Sequence, residues 1–208
     1  MTPRSWMRQL FARTPGNVRK APARFRPQLE SLESRYVLST LVVTNNSDTG
    51  ISGDGSLRGE LAAAASGDTI AFAGSLKGKT NTLTQGELAL SQSLTIAGPV
   101  ANPVTINGND ASRVFDITSS SAIVTLSGLT ITLGGAFKGG GIDNTGTLTV
   151  SQCSLSGNSA GSSGGIWNDF GATLNVLNHS SITGNTPDDV QNLGRLNQDK
   201  SSTIGVLD

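Results

Sequence analysis

The chain is poor in much of what an ordinary enzyme uses. Charged side chains make up 14% of its 208 residues and aromatic ones 4%, where a globular domain carries about 25% charged residues. It has one cysteine, Cys153, and one histidine, His179. A lone cysteine excludes an intramolecular disulfide, and one cysteine with one histidine excludes a zinc site of the usual ligand count. No run of about 20 apolar residues occurs, so no transmembrane helix is expected. Low charge is shared with some disordered chains, but those combine high net charge with few β-branched residues. Here the formal net charge is +0 and Val, Ile and Thr are frequent. With 26 glycines and many Ser and Asn, the composition reads as β structure broken by tight turns.

The neutral balance hides a division. Residues 1–39 contain Arg4, Arg8, Arg13, Arg19, Lys20, Arg24, Arg26 and Arg35 against only Glu30 and Glu33. From residue 40 onward the excess is acidic, a formal −6. Such a body has no electrostatic reason to bind nucleic acid, which needs a basic face. Residues 1–35 lack hydrophobic periodicity and carry Pro3, Pro15, Pro22 and Pro27. We expect residues 1–39 to be a disordered basic leader or export segment and residues 40–208 to be the folded domain. A secretory signal needs about 7–15 apolar residues after its basic region. Tyr36-Val37-Leu38 and Leu41-Val42-Val43, split by Ser39-Thr40, form only a weak one.

The body repeats. Gly140-Gly141-Ile142-Asp143-Asn144 recurs as Gly164-Gly165-Ile166-Trp167-Asn168, and Val190-Gln191-Asn192 follows at the same offset. After the first element come Thr147-Leu148-Thr149-Val150 and Ser154-Leu155-Ser156-Gly157-Asn158. After the second come Thr173-Leu174-Asn175-Val176 and Ser181-Ile182-Thr183-Gly184-Asn185. Each alternating run predicts a strand with one face buried. The inward set is Ile142, Leu148, Val150 and Leu155, then Ile166, Leu174, Val176 and Ile182. Such a repeat cannot close a core alone, but stacked copies can, each strand pairing in parallel with its counterpart about 4.8 Å away. The expected fold is therefore all-β, a right-handed parallel β-helix or solenoid. Asn144, Asn168 and Asn192 should form one column and Asn158 and Asn185 another, as turn residues and amide ladders. Gly141 and Gly165 belong to the same repeated turns.

Earlier runs fit the stack less regularly: Thr69–Phe72, Glu87–Leu90, Ser93–Ile96, Val104–Ile106 and Val114–Ile117. One helix is predicted over Leu57–Ala65, capped by Asp54-Gly55-Ser56 and closed by Ser66-Gly67-Asp68. Leu57 and Leu61 lie on one face. A solenoid needs such a cap over its first coil.

Two resemblances follow. Leu29-Glu30-Ser31-Leu32-Glu33-Ser34-Arg35-Tyr36-Val37-Leu38-Ser39 resembles the LEPR-XLL leader of bacterial surface proteins, which implies export. Gly55-Ser56-Leu57-Arg58, the Ala-rich helix, Gly67-Asp68-Thr69-Ile70 and Ser93–Pro99 resemble the opening of pectin-lyase-like β-helix proteins. The Gly-Gly-x-Ile and Ser-Gly-Asn elements are similar to repeats of polymorphic outer membrane proteins and related adhesins. The likeness covers about residues 40–195 and concerns fold, since the repeat residues are structural.

Chemistry is harder to find. Enzymes of the resembling fold act on acidic polysaccharides with clustered carboxylates, and polygalacturonase-type members carry Gly-His-Gly and Arg-Ile-Lys elements. Neither element occurs here, and the acids read as scattered singly apart from Asp188-Asp189. Asp116 and Asp143 could stack as a glycosidase-like pair, which needs about 5–9.5 Å, but without those elements a solvated loop face is the expected reading. His179, opposite Gln152 one repeat earlier, reads as an exposed turn residue. Cys153 reads as a buried, inert thiol, and Trp167 as facing outward or into a corner. Gly139-Gly140-Gly141 lacks the helix and Lys of a phosphate loop.

No catalytic, cofactor or metal residues are assigned. The expectation is a non-catalytic, secreted or cell-surface bacterial module, structural or adhesin-like, with surface polysaccharide or other surface proteins as partners. The alternatives are a carbohydrate-active enzyme, or a relic of one, and a piece of a larger surface protein. An open last coil ending at Asp208 would favour self-association.

Overall fold

Alternation in the sequence becomes alternation in burial. In Leu94–Ala97, Val104–Asn107 and Leu129–Thr132, every second side chain is buried, because successive residues of a strand point to opposite faces. The computed structural model describes residues 38–208, and its strands form a parallel β-solenoid of about seven turns. The basic tail and all but the last two residues of the Leu29–Ser39 motif lie outside the described residues.

Three sheets run the length of the stack. The first contains Thr40–Val43, Thr69–Phe72, Leu94–Ala97, Ile123–Ser127, Thr147–Ser151, Thr173–Leu177 and Arg195–Gln198. The second contains Leu88–Leu90, Phe115–Ile117, Ile142–Asn144, Ile166–Asn168 and Val190–Asn192. The third contains Thr80–Thr82, Val104–Asn107, Leu129–Thr132, Ser154–Leu155, Ser181–Ile182 and Thr203–Ile204. A short fourth sheet, Gly135–Lys138 with Ser159–Ser162, bulges between the third and second. Sequence alternation gave no sign of it, because neither strand buries an apolar face.

All eight of the expected inward residues, from Ile142 to Ile182, are fully buried, stacked with Ile70, Ile96, Phe115, Val124 and Leu126 in one continuous core. Coils differ in length. Matched positions lie 24 residues apart at Asn144 and Asn168, 26 at Thr149 and Asn175, and 27 at Asn158 and Asn185. The extra residues are taken up at corners. His179 is one of them: Ser151 pairs with Leu177, so Asn178 is the counterpart of Gln152 and His179 has none. Gln152, Asn178 and His179 all adopt positive φ, the left-handed conformation that closes the bend.

The helix spans Leu57–Ala63, two residues shorter than predicted, and Ser56 caps it by accepting from the Gly59 N–H at 3.0 Å. Glu60 reaches back to accept from the Gly55 N–H at 2.9 Å, so two amide donors at the entry to the helix are satisfied. Leu57 inserts into the core and Leu61 packs against it. Asp68 fixes the exit by accepting from the Ser39 and Ala65 N–H groups, both at 2.8 Å, which lowers its carboxyl pKa. No helix among the described residues is long and apolar enough to cross a membrane.

Candidate functional site

The second sheet has two chemically different faces. Its inner corner holds the asparagines. Asn144 Nδ2 donates to Asn168 Oδ1 at 2.7 Å, and Asn168 Nδ2 donates to Asn192 Oδ1 at 2.7 Å. Asn144 Oδ1 accepts from the Gly146 N–H at 3.1 Å, while Nδ2 also reaches the Gly146 and Thr173 carbonyls. In the other column, Asn158 Nδ2 donates to Asn185 Oδ1 at 2.8 Å. Asn185 Nδ2 donates onward to Asp189 Oδ1 at 2.8 Å. Gly141 and Gly165 lie beside these columns where coils approach closely. A Cβ on Gly141 would come 2.7 Å from the Gly165 carbonyl oxygen, and one on Gly165 would collide with the Asp189 carbonyl. Neither glycine has positive φ, so cross-coil spacing rather than turn conformation excludes a side chain. These residues form structural columns with no open surface for chemistry.

The outward column of the same sheet reads Ala89, Asp116, Asp143, Trp167 and Gln191 in register. Arg113, just before the Phe115–Ile117 strand, bridges three acids from three coils: Nη1 lies 3.4 Å from Glu87, 3.2 Å from Asp116 and 3.5 Å from Asp143 Oδ2. Lys138, at the end of the short fourth sheet, brings Nζ within 3.2 Å of Asp143 Oδ2 and 3.4 Å of Asp169 Oδ2. It also sits 5.4 Å from the Trp167 ring centre, a cation–π contact. The acids that read as scattered are therefore gathered, four carboxylates around two cations. Coils of unequal length hide this from the sequence, and neither Arg113 nor Lys138 belongs to a repeated element.

Asp143 is the centre. It is 5% exposed, and burial pushes its carboxyl pKa up, against the pull of Arg113 and Lys138. Asp169 goes the other way, lowered by the Phe170 N–H and helped by Lys138. Among the described residues, five buried side-chain polar atoms lack a hydrogen-bond partner. Two belong to Asn81, and the others are Arg113 Nε, Asp143 Oδ1 and Trp167 Nε1, all within this cluster. Trp167 Nε1 leans toward the Asp169 carboxylate without reaching it. Each unmet buried polar group costs about 1–3 kcal/mol, so the cluster is less satisfied than the rest of the fold.

The surroundings extend the site. A cavity of about 250 Å³, lined by Arg58, Leu61, Ala62, Glu87, Leu88 and Ala89, lies between the helix and the start of the outward column. Phe137 and Phe170, each next in sequence to a member of the Lys138–Asp169 pair, are 84% and 87% exposed. No group of three or more His, Cys, Asp or Glu side chains suited to a metal occurs among the described residues.

The remaining candidates stand apart. His179 is exposed at its corner, its N–H donating to Ser201 Oγ at 3.0 Å. Cys153 is 3% exposed, and burial pushes its thiol pKa up to about 11, which leaves little nucleophilic thiolate. Trp167 faces outward in the charged column. No family model, no curated protein and no solved structure matches the chain.

Proposed function

We propose that this chain is a non-catalytic, exported β-solenoid of the bacterial surface that holds carbohydrate on the outer face of its second sheet, an adhesin-like module. The observation that carries this reading is the Arg113–Asp143–Lys138 cluster, with three unmet polar atoms and a cavity that Glu87 shares with it. Polar chemistry and a cavity adjoin there, as they do at sites that hold small ligands. Export rests on the Leu29–Ser39 motif, kinship with pectin-lyase-like proteins on Gly55–Arg58, the Ala-rich helix, Gly67–Ile70 and Ser93–Pro99, and kinship with adhesin repeats on the Gly-Gly-x-Ile and Ser-Gly-Asn elements. Absence of catalysis is supported by Arg113, whose single Nη1 contacts both Asp116 and Asp143 and so fills the place between them that a scissile bond would need.

The test is incubation of the purified chain with a panel of polysaccharides, following both retardation on affinity gels and product release. Retention without new reducing ends or unsaturated ends is expected. Turnover that disappears in Asp143→Ala would overturn the reading.

One observation favours a second reading, a glycoside hydrolase. Asp143 has a raised carboxyl pKa and an acidic neighbour, Asp116, one strand away. A proton donor beside a second carboxylate is what retaining hydrolysis uses. Product release in the same assay, lost in both Asp143→Asn and Asp116→Asn, would establish it.

A further inference from the structure

We infer that the outward column binds a neutral, hydroxyl-rich sugar chain rather than a uronate or other polyanion, with Asp143, Arg113 and Trp167 contacting one sugar residue and the cavity by the helix receiving another. The inference rests on the carbohydrate-binding reading and adds the ligand's chemical class.

Charge decides between neutral and anionic ligands. Glu87, Asp116, Asp143 and Asp169 outnumber Arg113 and Lys138, and both cations are engaged by these acids. A uronate carboxylate arriving here would meet a net negative field with no free cation. Arg58, the cation at the cavity, is held by Asp48 through Nε at 2.5 Å and donates to the Gly86 and Glu87 carbonyls.

The unmet atoms favour hydroxyls. Asp143 Oδ1 needs a donor and Arg113 Nε an acceptor, while Trp167 Nε1 has only the poorly placed Asp169 carboxylate. A hydroxyl group supplies both functions, and neighbouring hydroxyls on one ring can serve both kinds of atom together. Lys138 lies over Asp143 and the Trp167 ring, and its side chain is 33% exposed. The three unmet atoms are themselves buried, so on this proposal binding displaces the Lys138 side chain. The cavity of about 250 Å³ is smaller than the roughly 300–1,000 Å³ of sites for drug-sized ligands, so it suits a single ring. Ala89 links it to the charged centre, lining the cavity and standing in register with Asp116.

The experiment is affinity electrophoresis of the whole chain through gels containing dextran, mannan, xylan or galactan, and in parallel polygalacturonate or alginate. Retardation by at least one neutral glycan and by neither polyuronate is expected. Asp143→Asn and Trp167→Phe, each confirmed folded by circular dichroism, should weaken that binding about three- to tenfold, the worth of one hydrogen bond. Trp167→Phe keeps an aromatic ring while losing the indole N–H and part of the ring area, so it remains informative if Asp143→Asn folds poorly. Equal or stronger binding of polyuronates overturns the inference and leaves the carbohydrate reading standing. Binding of a neutral glycan with unchanged affinity in both variants also overturns it, since the sugar then sits elsewhere. Binding of no glycan of either class overturns both.

Discussion

Asp143 and Asn144 are consecutive residues of one three-residue strand, both buried, and the fold treats them differently. Asn144 sits in a ladder in which its amide oxygen and nitrogen both have partners. Asp143 stands in a column in which one oxygen is shared by two cations and the other has no partner. A satisfied polar network rigidifies a fold, while an incomplete one costs free energy. The inner face therefore reads as architecture and the outer face as a surface awaiting something else. The contrast holds across coils: Asn168 is the next ladder member, and its neighbour Trp167 carries an unmet N–H.

The ladder side should break hardest. Asn168→Leu removes the acceptor of Asn144 and the donor to Asn192 and to the Arg195 carbonyl. A loss of about 2–5 kcal/mol is expected, summed from two or more stranded buried groups, read as the denaturant midpoint at constant slope. Asn192→Leu, at a half-buried member, should cost only about 1 kcal/mol. If the two cost the same, the ladder does not act through burial.

On the outer side, Arg113→Met leaves Glu87, Asp116 and Asp143 without their shared guanidinium. Because these acids range from buried to substantially exposed, the cost should be about 1–3 kcal/mol at neutral pH. It should shrink as the acids protonate. A penalty that stays constant down to acidic pH would mean that Arg113 acts by packing alone.

Two aspartates should give opposite pH slopes. The raised folded pKa of Asp143 means that ionising it opposes folding at neutral pH. That penalty is lifted as pH falls through the raised pKa toward the ordinary carboxyl value of 3.8, so wild type should gain on Asp143→Asn over this range. Asp199 is pushed down to about 2 by the Asn178 N–H, with help from Ser202 and Ser201. Its contribution is present above 3.8 and lost as pH falls toward about 2, so wild type should lose its advantage over Asp199→Asn there. Chemical denaturation of the three proteins across this range reads both slopes.

The smallest effect is expected at the corner. His179→Asn keeps a residue tolerant of positive φ at an exposed position, and stability should change by less than about 0.5 kcal/mol. A larger loss would give His179 a role that its exposure does not reveal.

The ladder side was legible in the sequence because its residues recur. Asn144, Asn168 and Asn192 fall at one spacing, and apolar alternation brackets them, so stacking was the simplest arrangement that buried both. The outer side was not. Glu87, Arg113 and Lys138 occur once each, outside any repeated element, and they converge only through the register of coils whose lengths vary at the corners. Stacking of Asp116 on Asp143 was visible; the guanidinium between them was not. The short strands at Gly135–Lys138 and Ser159–Ser162 escaped notice because they bury nothing, yet the first of them delivers Lys138 to Asp143.

The asparagine columns share one further property. Asn144 gives its hydrogen to Asn168, Asn168 to Asn192, and Asn158 to Asn185. In each of these pairs the donor is the earlier coil and the acceptor the later one. Amide dipoles aligned in this way polarise one another, so each bond strengthens the next. On the outer face of the first sheet the direction is reversed, Asn197 giving its hydrogen back to Asn175, so the polarity belongs to the buried columns of the last coils and not to the stack as a whole.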